Sequence, residues 1–187
     1  HRGDLVEVVA PVQAVDYRAE LLKLKARGVK HIIFLGNDAM GRAMAQARAL
    51  GITAQFYSIA SVMSPGFQSL AGTALEGTVV SNWYAPRNAH YQDFSEKFLN
   101  KHHKPVQLEF VAGPSADAAK LVADTLKVVL VRDKVLTAKG IRRELPLHEA
   151  FEGVSGTIKM DSDGAVRTIL ETLFRYESGK LSPIRKL

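Results

Sequence analysis

The sequence predicts an α/β protein built on a Rossmann-like, doubly wound parallel sheet. Two observations predict it. Short apolar runs alternate with segments whose apolar residues recur at helical spacing, the rhythm of strands and helices taking turns. The turns between them are short and marked by glycine, at Gly28, Gly36 and Gly51.

The organising stretch is Gly28 to Gln55. His31-Ile32-Ile33-Phe34-Leu35 is nearly all apolar, as expected of a parallel strand buried on both faces. Gly36-Asn37-Asp38 breaks it. Met40, Ala43, Met44, Ala47 and Leu50 then follow the helical period, with Arg42, Gln46 and Arg48 between them. Gly51 suits a left-handed helix end. A second apolar strand covers Ala54 to Ile59. Strand, helix and strand make a βαβ unit, whose crossover should be right-handed. Ligands of such sheets bind outside the carboxyl ends of the strands, which singles out Asn37-Asp38 and Ala60-Ser61.

The remaining elements follow in order. Leu5 to Val12 reads as a strand ended by Pro11. Asp16 can cap the next helix, with Leu21, Leu22 and Leu24 as its apolar stripe and Gly28 closing it. Ser64-Pro65-Gly66 is a turn or helix start, and Phe67 to Gly72 a short helix. Thr78 to Trp83 is a strand, followed by a loop at Tyr84 to Asn88. Tyr91 to His102 is an amphipathic helix with Phe94, Phe98 and Leu99 inward. Leu108 to Val111 is extended, and Gly113-Pro114-Ser115 should break the chain. Pro114 to Val131 is a helix with Ala118, Leu121, Val122, Thr125, Leu126 and Val129 on its apolar side. Thr137 to Ala150 is another. Gly153 to Met160 and Ile169 to Tyr176 are strand-like, and Asp161 to Gly164 and Glu177 to Lys180 are hairpin turns.

Composition sets the outer bounds. The 187 residues are 47% hydrophobic and 24% charged, which describes a globular protein with ample core. The absence of cysteine removes disulfides, thiolate metal sites and a cysteine nucleophile. The net charge of +6 is scattered rather than clustered, so it reads as a solvated surface and no nucleic-acid partner is expected. No apolar run approaches the ~20 residues of a membrane span. The chain starts at His1 rather than Met, so a missing leader carries no information on compartment.

No motif announces catalysis. Gly36 to Gly41 sits where a phosphate loop would, but Arg42-Ala43 replaces the Lys and Ser/Thr of a P-loop, and G-x-G-x-x-G is not matched. Those two glycines fit a tight turn and close helix packing instead. Asp161-Ser162-Asp163-Gly164 lacks the acids of a calcium loop. His102-His103 lies at a helix end with no third ligand in range, so no metal is expected. No serine sits in a nucleophile elbow and no carboxylates pair. The expectation is binding, with no catalytic residue and no cofactor. Trp83-Tyr84 is the one aromatic pair placed to line a pocket.

Taken together, HIIFLGNDAMGRAMAQARALGITAQF, SPGFQSLAGTALEGTVVSNWYAP and GVSGTIKMDSDG resemble the periplasmic solute-binding proteins of the branched-chain amino acid, or type I, class. Gln46 to Gly51, Ala71 to Gly77 and Gly153 to Gly164 carry the likeness. It implies two Rossmann-like lobes joined by crossing strands, with a solute trapped between them. The chain then starts inside lobe two, after that lobe's first strand and helix. Residues 1–111 are expected to be most of lobe two, 112–168 to cross to lobe one, and 169–187 to return. Helices Pro114–Val131 and Thr137–Ala150 should then show apolar faces that seek a missing N-terminal lobe or a swapped second copy.

The resemblance also implies a site. Family members that bind amino acids place a polar or aromatic residue at Asn37 or Asp38, and an acid that pairs with the ligand ammonium at the position of Ala60, beside neutral Ser61. A buried ammonium needs a charged partner. Asp38 could stand in; otherwise a carboxylate or neutral solute is implied in place of a plain α-amino acid. The expected wall is Asn37, Asp38, Ala60, Ser61 and Tyr84. The expected function is periplasmic or extracellular solute binding for an ABC importer, with its permease as partner. The alternative is the sensing domain of a transcription regulator or receptor with this fold. A nucleotide-using α/β enzyme is a further rival.

Overall fold

The computed structural model describes residues 5–11, 14–82, 88–166 and 172–184. They form two compact units: residues 1–82 with 172–187, and residues 83–171.

The first unit is an α/β sheet with helices on one side. Strands β1 (His31–Ile33), β2 (Gln55–Ile59) and β3 (Val79–Asn82) run parallel, and β6 (Thr172–Glu177) and β7 (Lys180–Pro183) continue the sheet antiparallel. In register, Ile33 lies beside Tyr57, Tyr57 beside Val79, and Val79 beside Arg175. Helices α1 (Arg18–Ala26), α2 (Ala39–Ala49) and α3 (Pro65–Ala71) pack on one side of these strands. The core joins Tyr17 and Leu21, Ala43, Met44 and Ala47, and Phe67 to Ile32, Phe34, Phe56, Val80 and Tyr176. Burying a large apolar side chain here contributes about 1.5–3 kcal/mol.

All three helices cover the same face, and this corrects the reading of His31–Leu35 as buried on both sides. Ile32 and Phe34 are buried, while Ile33 is 62% exposed and Leu35 64%. Leu22 likewise faces out, because α1 reaches the core only through Leu21 and Leu24. The predicted strand at Leu5 to Val12 is not formed in its described part. Residues 5–11 alternate in exposure as an extended chain does but join no sheet, so β1 is the edge. Gly28 and Gly51 adopt positive φ where the helices end, as their positions predict. The β6–β7 turn carries positive φ at Ser178 and Gly179, the two-residue hairpin expected there.

Helix α2 packs closely on α3 at Gly41. A Cβ there would stand 2.5 Å from the Phe67 carbonyl oxygen and 3.2 Å from the Ala71 nitrogen. The glycine serves close helix packing, as read from the sequence.

In the second unit α4 is Ala89–His102, α5 Glu109–Asp133 and α6 Ala138–Glu144, with a small hairpin of β4 (Phe151–Gly153) and β5 (Gly156–Ile158). Asn88 caps α4 through Oδ1, which accepts from Tyr91 N at 2.7 Å. Tyr91 is buried and Phe94 and Phe98 half-buried, but Leu99 is exposed, because the buried face runs through the aromatic rings. Two expectations fail at α5. Leu108–Val111 is not extended, and Gly113-Pro114 does not break the helix. Pro114 falls early in α5, where only the Phe110 carbonyl loses its helical donor. Gly113, Asp117, Leu121, Thr125 and Val129 form one buried row at four-residue spacing, leaving Ala118 and Val122 outside it. The predicted helix to Ala150 stops at Glu144 and continues as a 3₁₀ turn through Pro146. Gly153 to Met160 is a hairpin turning at Val154-Ser155 rather than one strand. Its anchor is Asp117, 4% exposed, which accepts from Val154 N at 2.6 Å, Ser155 N at 2.8 Å and Ser155 Oγ. The Asp161–Gly164 turn closes through Gly164 N to Asp161 O at 2.9 Å.

Candidate functional site

Parallel strands β1 and β2 deliver the chain to Gly36–Asp38 and to Ala60–Ser61 at their carboxyl ends. Two bonds fix the exit of β1. Phe34 N donates to Tyr57 O at 2.9 Å, and the buried Ser58 hydroxyl donates to Phe34 O at 2.8 Å. The next residues form an Asx turn into α2. Asn37 Oδ1 accepts from Ala39 N at 3.1 Å, and Asn37 O accepts from Met40 N at 3.0 Å. The Asn37 amide nitrogen makes no hydrogen bond among the described residues.

Asp38 follows, and its carboxylate turns inward. Oδ1 accepts from the Ser64 hydroxyl, and Ser64 Oγ in turn accepts from Phe67 N at 3.0 Å, capping α3. Oδ2 faces Gly66, where an added Cβ would stand 2.0 Å from it. One oxygen of Asp38 thus serves the start of α3 through Ser64, while the other makes no hydrogen bond among the described residues.

Asn37, Asp38, Ala39 and Arg42 line an open groove of about 430 Å³, flanked by Ala14 and Val15 on one side and Leu70 on the other. Arg42 stands one turn along α2 from Asp38 and shares the groove with it, yet forms no ion pair or hydrogen bond among the described residues. Gln46 positions the flank. Its Oε1 accepts from Tyr17 N at 2.7 Å and its Nε2 donates to Val15 O at 3.1 Å, which pins the backbone beside Val15.

Of the residues expected from the sequence, Asn37 and Asp38 come together here. Ala60 and Ser61 do not line this groove. Ala60 is 2% exposed at the start of a 3₁₀ turn, Ala60–Met63, and the Ser61 hydroxyl is buried without a hydrogen-bond partner. Tyr84, with Trp83, lies outside the described residues. Sequence reading missed Arg42 and Ser64. The four-residue spacing of Asp38 and Arg42 could have placed both on one helix face. Nothing local ties Ser64 to Asp38, 26 residues away. Chemically the groove is a polar wall with apolar flanks, able to hold a small molecule. No nucleophile with a paired base stands in it.

A family model described as periplasmic binding protein matches residues 1–169. The Leu/Ile/Val-binding protein homolog 1 of Brucella suis is 27% identical over 166 residues, covering 88% of this chain and 43% of its own length. Among solved structures, a leucine binding protein, LivK, from Thermotoga maritima superposes with a TM-score of 0.75 at 21% identity, over 92% of this chain and 49% of that one. A solute binding protein of an ABC transporter from R. palustris, solved in complex with benzoate, superposes with a TM-score of 0.72 at 17% identity, over 92% and 47%. The chain thus spans less than half the length of these proteins. Matched by that family model over most of its length, this chain belongs to the periplasmic binding protein family.

Proposed function

We propose that this chain supplies one wall of the solute cleft of an ABC importer's substrate-binding protein. The observation that carries the reading is the groove at the carboxyl end of β1, where Asn37, Asp38 and Arg42 meet apolar flanks. Family membership supports it. The solute is an amino acid, a carboxylate or a related small molecule; neighbours solved with leucine, isoleucine and benzoate span that range. Asn37 and Asp38 belong to the wall. Asp38 acts there as a strut for α3 and Asn37 as a donor to the solute.

The mechanism is closure without catalysis. Solute binds the open form, both lobes touch it, and its better fit to the closed form shifts the equilibrium. The closed form then engages a permease at the periplasmic or extracellular face of the membrane. In this reading residues 1–111 and 169–187 belong to lobe two and 112–168 cross to lobe one. Helix α5 leaves Val122 45% and Leu130 50% exposed, and the outer face of the sheet leaves Ile33 and Leu173 bare. Parallel sheets are normally covered on both faces. The first lobe, or a second copy of this chain, covers these surfaces.

Native mass spectrometry of the purified chain, beside a denatured intact mass, tests this. A complex heavier by a second polypeptide, with a bound small solute, is the expected result. A lone monomer that also takes up no solute at millimolar concentration would overturn it.

A further inference from the structure

The two flanks of the groove are held in different ways. Leu70 sits on α3, and α3 is locked to α2 twice. The Ser64 hydroxyl donates to Asp38, and Gly41 lets the two helices meet where no Cβ would fit. Ala14 and Val15 stand on the opposite flank, in a stretch that follows residues 5–11, which join no sheet. That stretch meets the core through Ala14 and through Tyr17, which is 3% exposed. Val15 between them is 67% exposed and lies outside the core cluster. Its tie to the rest of the fold is Gln46, one turn beyond Arg42 on α2. Gln46 spends both ends of its amide on this stretch: Oε1 accepts from Tyr17 N at 2.7 Å, and Nε2 donates to Val15 O at 3.1 Å. The bonds reach across 29 and 31 residues, so they set how far the flank stands from α2. A segment with few other contacts opens at low cost once such bonds are lost. The spacing of two apolar walls decides which tails fit between them, because a gap forfeits contact and a squeeze adds strain.

We propose that Gln46 is a positioning residue for solute size: by tying Val15 to α2 it fixes the width of the groove, and through that width the bulk of the apolar tail the chain accepts. This rests on the reading of the groove as a solute wall, and adds the residue that tunes its selectivity. Gln46 does not itself line the groove; it acts through Val15, against the fixed flank at Leu70.

The test uses the chain as it stands, with three probes that share a head group and differ in the tail: alanine, leucine and phenylalanine. Contacts to the shared head cancel in a ratio of affinities, which saturation-transfer NMR at millimolar probe measures. The wild-type chain is expected to discriminate among the tails. Gln46→Met keeps the length of the side chain and drops both bonds, and should pull the leucine-to-phenylalanine ratio toward one by about threefold or more. Val15→Ala should move the ratio the same way. In the Val15→Ala background Gln46→Met should change it by less than about twofold, because the two act through one contact. A residue that only supported the fold would lower all three affinities together. Equal losses for the three probes, or independent effects of the two substitutions, would overturn the inference and uphold the solute wall. So would a wild-type chain that binds the three alike. An unchanged ratio in Val15→Ala, which leaves Gln46 intact, overturns it even where Gln46→Met does not fold. Wild-type binding of none of the three would overturn the wall and the inference together.

Discussion

A carboxylate just past a strand can hold a ligand or hold the fold, and at Asp38 one oxygen is committed to the fold. Its proton donor, Ser64, also caps α3 by accepting from Phe67 N at 3.0 Å. Ser64→Ala removes the cap and the link to Asp38 together, and should destabilise the chain by about 1–2 kcal/mol in urea denaturation. Gly41 has no such latitude. A methyl group there meets backbone atoms of α3 at 2.5 and 3.2 Å, so Gly41→Ala should cost about 1–3 kcal/mol by the same measurement. In the second unit, Asp117→Ala orphans the N–H groups of Val154 and Ser155. A loss of about 2–4 kcal/mol is expected, with faster hydrogen exchange at those two amides. On the exposed side of α5, hydrogen bonds from Lys120 and then Lys127 lower the Asp124 pKa from 3.8 to about 2. A depressed carboxyl stabilises the fold above its unfolded pKa and stops doing so as pH falls through its folded value. Melting temperature should therefore fall between pH 4 and pH 2, with a shallower slope in Asp124→Asn.

At the scale of elements, the sequence carried what is local and periodic. The β1–α2–β2 unit was legible because strand and helix periods differ and glycines mark the joints. The hairpin at Glu177–Lys180 was legible from turn chemistry alone. What failed depends on distant partners. Residues 5–11 have the alternation of a strand, but pairing needs a neighbour, which the described chain does not give them. Gly113-Pro114 reads as a breaker, yet the row from Gly113 to Val129 packs well enough to carry the helix through it. The groove was half legible. Asn37 and Asp38 followed from the topology of parallel sheets, but the direction of the Asp38 carboxylate depends on Ser64, across 26 residues. The faces left bare on α5 give a prediction at this scale. Asp at Val122 and Leu130 should each change stability by less than about 0.5 kcal/mol, as exposed substitutions do. The same pair should weaken any association seen by sedimentation velocity.

At the scale of the molecule, the chain forms two units and spans under half of its solved neighbours. The sheet of the first unit is covered by helices on one face, and its other face presents Ile33, Leu35 and Leu173 to solvent. A lobe that shares a cleft with a second lobe holds only part of the contacts to its solute, so binding by this chain alone should be weak and fast. The proposed wall nevertheless has a definite address. Titrating ¹⁵N-labelled chain with leucine and, in parallel, with benzoate, and mapping the amide shifts tests that address most directly. The predicted result is a set of saturable shifts confined to Asn37 through Arg42, Val15 and Leu70. Shifts confined to another surface, or no saturable shift at all, would contradict it.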